Sequence, residues 1–230
     1  IELLRKQVDT CWVGVDQLER ANGHIVSRFF GDPAQAMTIV GITGTDGKSS
    51  VTHLLTQALS RIGKPCASIG TLGYGIGNQL TPDSLTTPDV VTLQSRLHQF
   101  LQQRCEYVIM EVSSHALEQY RVNGCDFDIA VLTNIGRDHL DYHGDQASYA
   151  AAKSRLFYDF KLSGRVVNLD DSLGRALSES VASEGLLRYG VENKRDGEAD
   201  IRLVKCEKTA HGQNVRALTP LGEVTAVTAL

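Results

Sequence analysis

Thr38-Ile39-Val40-Gly41-Ile42-Thr43 is a short apolar, β-branched run, and the glycine-bearing segment Gly44 to Ser50 follows it at once. Beyond it Val51, Leu54, Leu55, Ala58, Leu59 and Ile62 recur at helical spacing. A buried strand, a tight loop and an amphipathic helix in that order form one arm of a parallel α/β unit, and this constrains the fold more than any other feature. Gly63 and Pro65 stop the helix.

The alternation continues down the chain. Pro65 to Ile69 reads as a strand and Gly70 to Gly77 as a glycine-rich loop. Pro88 and Asp89 suit a helix first turn, ahead of an apolar stripe at Val90, Leu93, Leu97, Phe100 and Leu101. Glu106 to Val112, Phe127 to Thr133, Val166 to Leu169 and Leu186 to Tyr189 are strand-like; Tyr149 to Phe160 and Ser172 to Ala182 are helical. The expected fold is α/β, a mostly parallel open sheet flanked by helices. After Gly190 the alternating runs Ile201 to Val204, Val215 to Leu218 and Val224 to Leu230 predict a small antiparallel extension at the C-terminal end. Ile1 to Met37 has little periodicity and reads as the end of a preceding unit followed by a linker.

Composition removes several function classes. The net charge of -4 gives no basic field for nucleic acid. No apolar run reaches the roughly 18 residues of a membrane span. Cys11, Cys66, Cys105, Cys125 and Cys206 lie far apart without CxxC spacing, which fits neither a disulfide framework nor a zinc site. A reducing compartment, the cytoplasm, is the expected location.

The polar residues that carry chemistry fall just after the strands, where open α/β sheets gather ligands. Gly44-Thr45-Asp46-Gly47-Lys48-Ser49-Ser50 can surround phosphate oxygens with backbone N–H groups at a helix start. Lys48 would neutralise phosphate charge, and the Ser49 hydroxyl would reach Mg²⁺. The spacing departs from the GxxxxGK[ST] rule, since Ile42 stands where the first glycine belongs. Glu111 ends a strand and reads either as a Mg²⁺ ligand or as an exposed strand-end acid. His139, among Asp138, Asp141 and His143, reads as a metal ligand, a base or a solvated loop residue. Lys153 by itself reads as a surface lysine.

Taken together, Gly44 to Ser50, Leu85-Thr86-Thr87-Pro88, Glu111-Val112-Ser113-Ser114-His115 with Gln119 and Arg121, Thr133-Asn134 to His143-Gly144, and Tyr149 to Lys153 resemble the Mur ligases, ATP-dependent amide-forming enzymes of peptidoglycan synthesis. The resemblance is to the MurE type, the tripeptide synthetases. It implies that ATP phosphates sit on Gly44, Thr45, Asp46, Gly47, Lys48, Ser49 and Ser50. It implies one Mg²⁺ on Ser49 and Glu111, and a second on His139 and a carbamylated Lys153. Thr86, Thr87, Ser113, Gln119 and Arg121 would contact a UDP-N-acetylmuramoyl-dipeptide, and Tyr149 would help place that region.

The implied reaction joins meso-diaminopimelate or L-lysine to the dipeptide through an acyl phosphate. The implied division is a remnant of a UDP-binding domain and linker over 1–36 and a central ATP-binding domain over 37–230. An amino-acid-selecting domain would lie beyond, so the fragment alone is expected to be inactive, and a monomer. Asp46 stands where the family more often has Asn, and Leu85 where some relatives have Asn. The rival readings are another Mur or folylpolyglutamate-type ligase, and a P-loop nucleotide-binding module without ligase activity.

Overall fold

A computed structural model describes residues 13–191, 199–210 and 212–228. Its α-helices are α1 (Leu18–Phe29), α2 (Lys48–Arg61), α3 (Val90–Gln102), α4 (Ser114–Glu118), α5 (Leu140–His143), α6 (Gln146–Tyr158) and α7 (Ser172–Ser180). Its strands are β1 (Thr38–Thr43), β2 (Cys66–Gly70), β3 (Gly73–Ile76), β4 (Gln79–Thr81), β5 (Tyr107–Glu111), β6 (Ile129–Leu132), β7 (Gly164–Asn168), β8 (Leu186–Val191), β9 (Ile201–Thr209), β10 (Gly212–Thr219) and β11 (Gly222–Thr228).

Among the described residues these strands form one sheet in the order β11-β10-β9-β8-β7-β6-β1-β5-β2-β3-β4. Pairing from β9 to β2 is parallel, while β10 and β11 at one edge and β3 and β4 at the other are antiparallel. The expected α/β sheet and its C-terminal antiparallel extension are therefore both present. The last strand runs Gly222–Thr228, and residues 229–230 of the expected run lie outside the described residues.

Period-two alternation divides the core between the two faces of the sheet. Ile39, Ala67, Ile69, Val108, Met110, Ala130, Leu132 and Val167 pack with Leu93, Leu97 and Phe100 of α3 and Leu156 and Phe157 of α6. Val40, Ile42, Cys66, Ile109 and Val131 form the other face, against Val51, Leu55 and Leu59 of α2. Strands covered on both faces read as continuous apolar runs, which is why the central ones are legible.

Three expectations are corrected. The apolar stripe expected on α2 is used only in part: Val51, Leu55 and Leu59 pack on the sheet, but Leu54 is 37% and Ile62 73% exposed, and Thr52 and Thr56 are buried instead. Thr56 can be buried because its hydroxyl donates to the Thr52 carbonyl at 2.8 Å. Within the expected loop Gly70 to Gly77, Gly73–Ile76 instead forms β3, paired antiparallel to β2. Within the expected linker, Leu18–Phe29 is helix α1, followed by a 3₁₀ turn at Pro33–Ala36. The Phe30 carbonyl beyond α1 lies 3.0 Å from His98 Nδ1 on α3. Residues 1–12 of that stretch, with Cys11, lie outside the described residues.

Candidate active site

The order of the parallel strands switches about β1, with β5 and β2 on one side and β6 and β7 on the other. A crevice at such a switch point is where open α/β sheets bind ligands. The loop after β1 is built by the segment after β6. Asn134 Oδ1 accepts from the Asp46 N–H at 3.0 Å, and Asn134 Nδ2 donates to the Asp46 carbonyl at 3.0 Å. Thr133 Oγ1 donates to the same carbonyl at 2.6 Å. Gly44 has φ +150°, and a Cβ there would lie 1.9 Å from Thr133 Oγ1, so the approach of β6 to the loop requires glycine. Asp46 is held by its backbone and is itself exposed, so its charge is left to solvent.

Two lysines meet on this loop. Lys48 Nζ donates to the carbonyls of Gly44 (3.0 Å) and Thr45 (2.8 Å). Lys153 Nζ, from α6, donates to the Gly44 carbonyl at 2.8 Å. Lys153 is no surface residue, being only 2% exposed. Burial first, and the Lys48 ammonium second, push its pKa from 10.5 down to about 7. Its amine lies 4.4 Å from the centre of the Tyr149 ring. The Tyr149 hydroxyl is 3.2 Å from Thr45 Oγ1, which also accepts from the Gly136 N–H at 2.8 Å.

On the other side of the loop, β1 and β5 pair with Ile42 opposite Glu111. That register brings Ser49 Oγ to Glu111 Oε2, to which it donates at 3.0 Å. Glu111 is 1% exposed, so the alternative of an exposed strand-end acid is excluded. A buried carboxylate must be partnered. The remaining donors come from Thr71, whose N–H reaches Oε1 at 2.8 Å and whose hydroxyl reaches Oε2 at 3.2 Å. A Cβ at Gly70 would lie 2.2 Å from Glu111 Oε1. Gly70→Ala is therefore expected to displace the carboxylate from its partners and to cost about 1–3 kcal/mol of stability, the scale of a buried acceptor left unpaired; urea unfolding of variant and parent checks it.

His139 occupies the rim. It is exposed, with φ +53° at the start of α5. Its ring stands edge-on to His115, with centroids 4.8 Å apart, and 6.2 Å from Tyr149. Lys48, Lys153 and the Ser49–Glu111 pair thus converge on one loop, and His139 is one aromatic ring away from Lys153.

The residues expected to contact a peptide substrate form a connected edge. Thr86 Oγ1 is 3.0 Å from Thr71 Oγ1. Thr87 is buried; its hydroxyl donates to the Glu111 carbonyl at 2.9 Å and accepts from the Ser113 N–H at 3.0 Å. Ser113 Oγ caps α4 by accepting from the Ala116 N–H at 3.1 Å. Arg121 Nη1 donates to the Thr87 carbonyl at 3.2 Å, and its Nε donates to Gln119 Oε1 at 2.8 Å.

Three supporting residues, Thr71, Asp83 and Arg96, escape a reading of the sequence, whereas Asn134 stands in one of the stretches singled out there. Thr71 and Asn134 make the bonds above. Arg96 of α3 meets Asp83 at 2.5 Å and lies 3.7 Å from the centre of the Tyr74 ring. That pair fixes the loop carrying Thr86 and Thr87 and holds the Asp83 carboxyl below its ordinary range. The available signal was position just past a strand, which marks Thr71 but says nothing of Arg96 in mid-helix.

The site is an open edge. A cleft of about 850 Å³ lies elsewhere, lined by Arg20, His24, Tyr120, Asp128, Arg155 and Lys161 among others, and shares no residue with it. Among the described residues no group of three or more His, Cys, Asp or Glu side chains is placed to hold a metal ion. Ser49 and Glu111 do offer two oxygen donors beside the loop after β1. Such a pair suits Mg²⁺, which commonly takes one or two protein oxygens and completes its shell with phosphate and water.

Comparison with known proteins fits this arrangement. The family profile described as the Mur ligase middle domain matches residues 42–230. A UDP-N-acetylmuramoyl-L-alanyl-D-glutamate--2,6-diaminopimelate ligase of Alkalilimnicola ehrlichii is 46% identical over 211 residues, covering 92% of this chain and 42% of that protein. The ligase of the same name from Pseudomonas putida is 51% identical over 158 residues, 69% of this chain and 32% of its own length. A solved structure of a protein bearing that ligase name superposes with a TM-score of 0.84 at 33% identity, over 97% of this chain and 46% of that one. Mycobacterium tuberculosis folylpolyglutamate synthase complexed with ADP shares the fold, with a TM-score of 0.72 at 16% identity, over all of this chain and 56% of that one. The chain spans less than half the length of the curated relatives it matches.

Proposed function

The chain belongs to the Mur ligase family, and from that premise we propose that residues 37–230 act as the ATP-binding middle domain of a ligase that adds the third amino acid to UDP-N-acetylmuramoyl-L-alanyl-D-glutamate. Residues 1–36 would lead in from the UDP-binding domain, and a further domain would select the amino acid. Relatives named for 2,6-diaminopimelate favour that amino acid over L-lysine. A cytoplasmic monomer, with no nucleic-acid partner, is the setting that ATP chemistry and the negative net charge suit. No helix among the described residues is long and apolar enough to cross a membrane.

One observation carries the reading: two lysine amines meet at the Gly44 carbonyl while a buried carboxylate meets Ser49 across the same loop. Phosphorylating a carboxylate brings two anions together. The loop's backbone N–H groups and Lys48 offset that repulsion and the charge that spreads over the phosphoryl oxygens. Ser49 and Glu111 would hold a Mg²⁺, which when bound supplies further charge neutralisation on the transferring phosphoryl group. Thr86, Ser113, Gln119 and Arg121 would hold the dipeptide's carboxylate in line, with Thr87 fixing their loop. Tyr149 walls the site between Thr45 and His139. An acyl phosphate and ADP result, and the incoming amine then displaces phosphate from the acyl carbon.

His139 and Lys153 would hold a second divalent ion only if Lys153 lost its positive character. A neutral amine is what CO₂ requires: the nitrogen lone pair forms the N–C bond, one C=O bond opens to C–O⁻, and the nitrogen proton leaves to solvent. A pKa near 7 makes that amine available at physiological pH. Intact-mass analysis in bicarbonate buffer is expected to show the adduct, and Lys153→Met to abolish it.

The decisive assay supplies the full-length enzyme with ATP, the UDP-muramoyl-dipeptide and either diaminopimelate or L-lysine. Tripeptide product with diaminopimelate is expected. No product with either amino acid would sink the reading.

A further inference from the structure

We propose that His143 is a positioning residue for the peptide substrate, locking helix α4 to the loop that carries His139 and so setting where Gln119 and Arg121 stand. The inference rests on the reading of that edge as the dipeptide's binding surface.

His143 ends α5, and its side chain is 1% exposed. Nδ1 lies 2.9 Å from Glu118 Oε2, and Nε2 lies 2.9 Å from Ser114 Oγ. An ionised carboxylate only accepts, so Nδ1 carries a hydrogen. In the neutral ring Nε2 then accepts the Ser114 hydroxyl hydrogen, and both nitrogens are used. Ser114 and Glu118 are the first and last residues of α4. One imidazole therefore spans the whole helix.

Further ties join the same two elements. Gln119 Nε2 donates to the Tyr142 hydroxyl at 3.0 Å. The His115 ring lies 4.1 Å from that of Tyr142 and 4.8 Å from that of His139, centroid to centroid. A helix of five residues has no stability of its own, so its position is set by what grips it. Ser113 precedes this helix and Gln119 and Arg121 follow it, which makes its placement the placement of the substrate edge. A shift of about 1 Å takes an ordinary hydrogen bond beyond the distance at which it holds, so the substrate's contacts to this edge would be lost.

The test measures steady-state kinetics of the full-length enzyme with His143→Phe, which keeps a ring against Tyr149, 5.3 Å from the His143 ring, but loses both bonds. The KM for UDP-muramoyl-dipeptide is expected to rise about tenfold, with KM for ATP within about twofold of the parent and kcat less affected. His143→Asn, whose amide can replace Nδ1–H toward Glu118, is expected to recover most of that affinity. Should His143→Phe fail to fold, the half-exposed Glu118 gives a second arm: Glu118→Ala is expected to raise the same KM about threefold. A merely structural role would lower the melting temperature and the active fraction while leaving KM unchanged; that result overturns the proposal. A parent enzyme that never saturates with the dipeptide overturns the functional reading and the proposal with it.

Discussion

Lys48→Ala in the full-length enzyme is expected to slow acyl-phosphate formation by about 10²–10³-fold, the scale on which a preorganised charge donor acts. Lys48 is the first residue of α2, so its backbone is fixed by the loop and the helix together. Its amine is steered to the loop by the Gly44 and Thr45 carbonyls, at 3.0 and 2.8 Å. Alanine leaves the loop's backbone bonds to Asn134 and Thr133 untouched, so the site keeps its shape and loses only the charge. The expected signature is a fall in kcat with KM for the dipeptide unchanged. Single-turnover measurement of ADP release from radiolabelled ATP reads it directly. A near-normal rate would mean that the loop does not serve phosphoryl transfer.

Lys153→Met is expected to act in opposite directions on activity and stability. Removing the amine removes the group that carbamylation would turn into an anionic ligand on the Tyr149 side of His139, and turnover should fall by about 10²-fold or more. Stability should improve, because the native fold holds the amine where its charged form is disfavoured. The pKa falls from 10.5 in the unfolded chain to about 7 in the fold. Between those values the unfolded chain binds more protons, so stability rises as pH rises through the window. Between pH 7 and 8, below the midpoint of about 8.5 for a thiol in the unfolded chain, the parent should gain on the order of 1 kcal/mol from this group. Lys153→Met should lose most of that rise and unfold at higher denaturant than the parent at pH 7. Urea unfolding in CO₂-depleted buffer checks both. A parallel pH dependence in parent and variant would place the charge in water, against the burial observed.

How much of this was legible in the sequence follows from which interactions are local. The run Thr38–Thr43, the loop after it and the acid at the end of β5 announce themselves, because burial on both faces of a parallel sheet demands unbroken apolar runs. Phosphate binding likewise demands a strand, a glycine loop and a helix in that order. Lys153 did not announce itself. It stands in Ala151-Ala152-Lys153 like any helix lysine, and only the packing of α6 beneath the Gly44 loop buries it.

The face of α2 was legible only in part: Val51, Leu55 and Leu59 pack as the spacing asks, while Leu54 and Ile62 stay exposed and Thr52 and Thr56 are buried. Helix α1 and strand β3 were missed because each is held by a neighbour distant in sequence or by an antiparallel ladder, not by its own periodicity.

The chain's sequence by itself therefore determined the sheet, the loop and the kinds of residue at its rim, since these depend on runs and spacings within a few positions. Tertiary structure alone decided which of those residues meet. Thr71 reaches Glu111 across 40 positions, and Lys153 reaches Gly44 across 109. Charge proximity, burial and hydrogen-bond partnership are properties of distance in space, and nothing in the order of residues encodes them until the strands have paired.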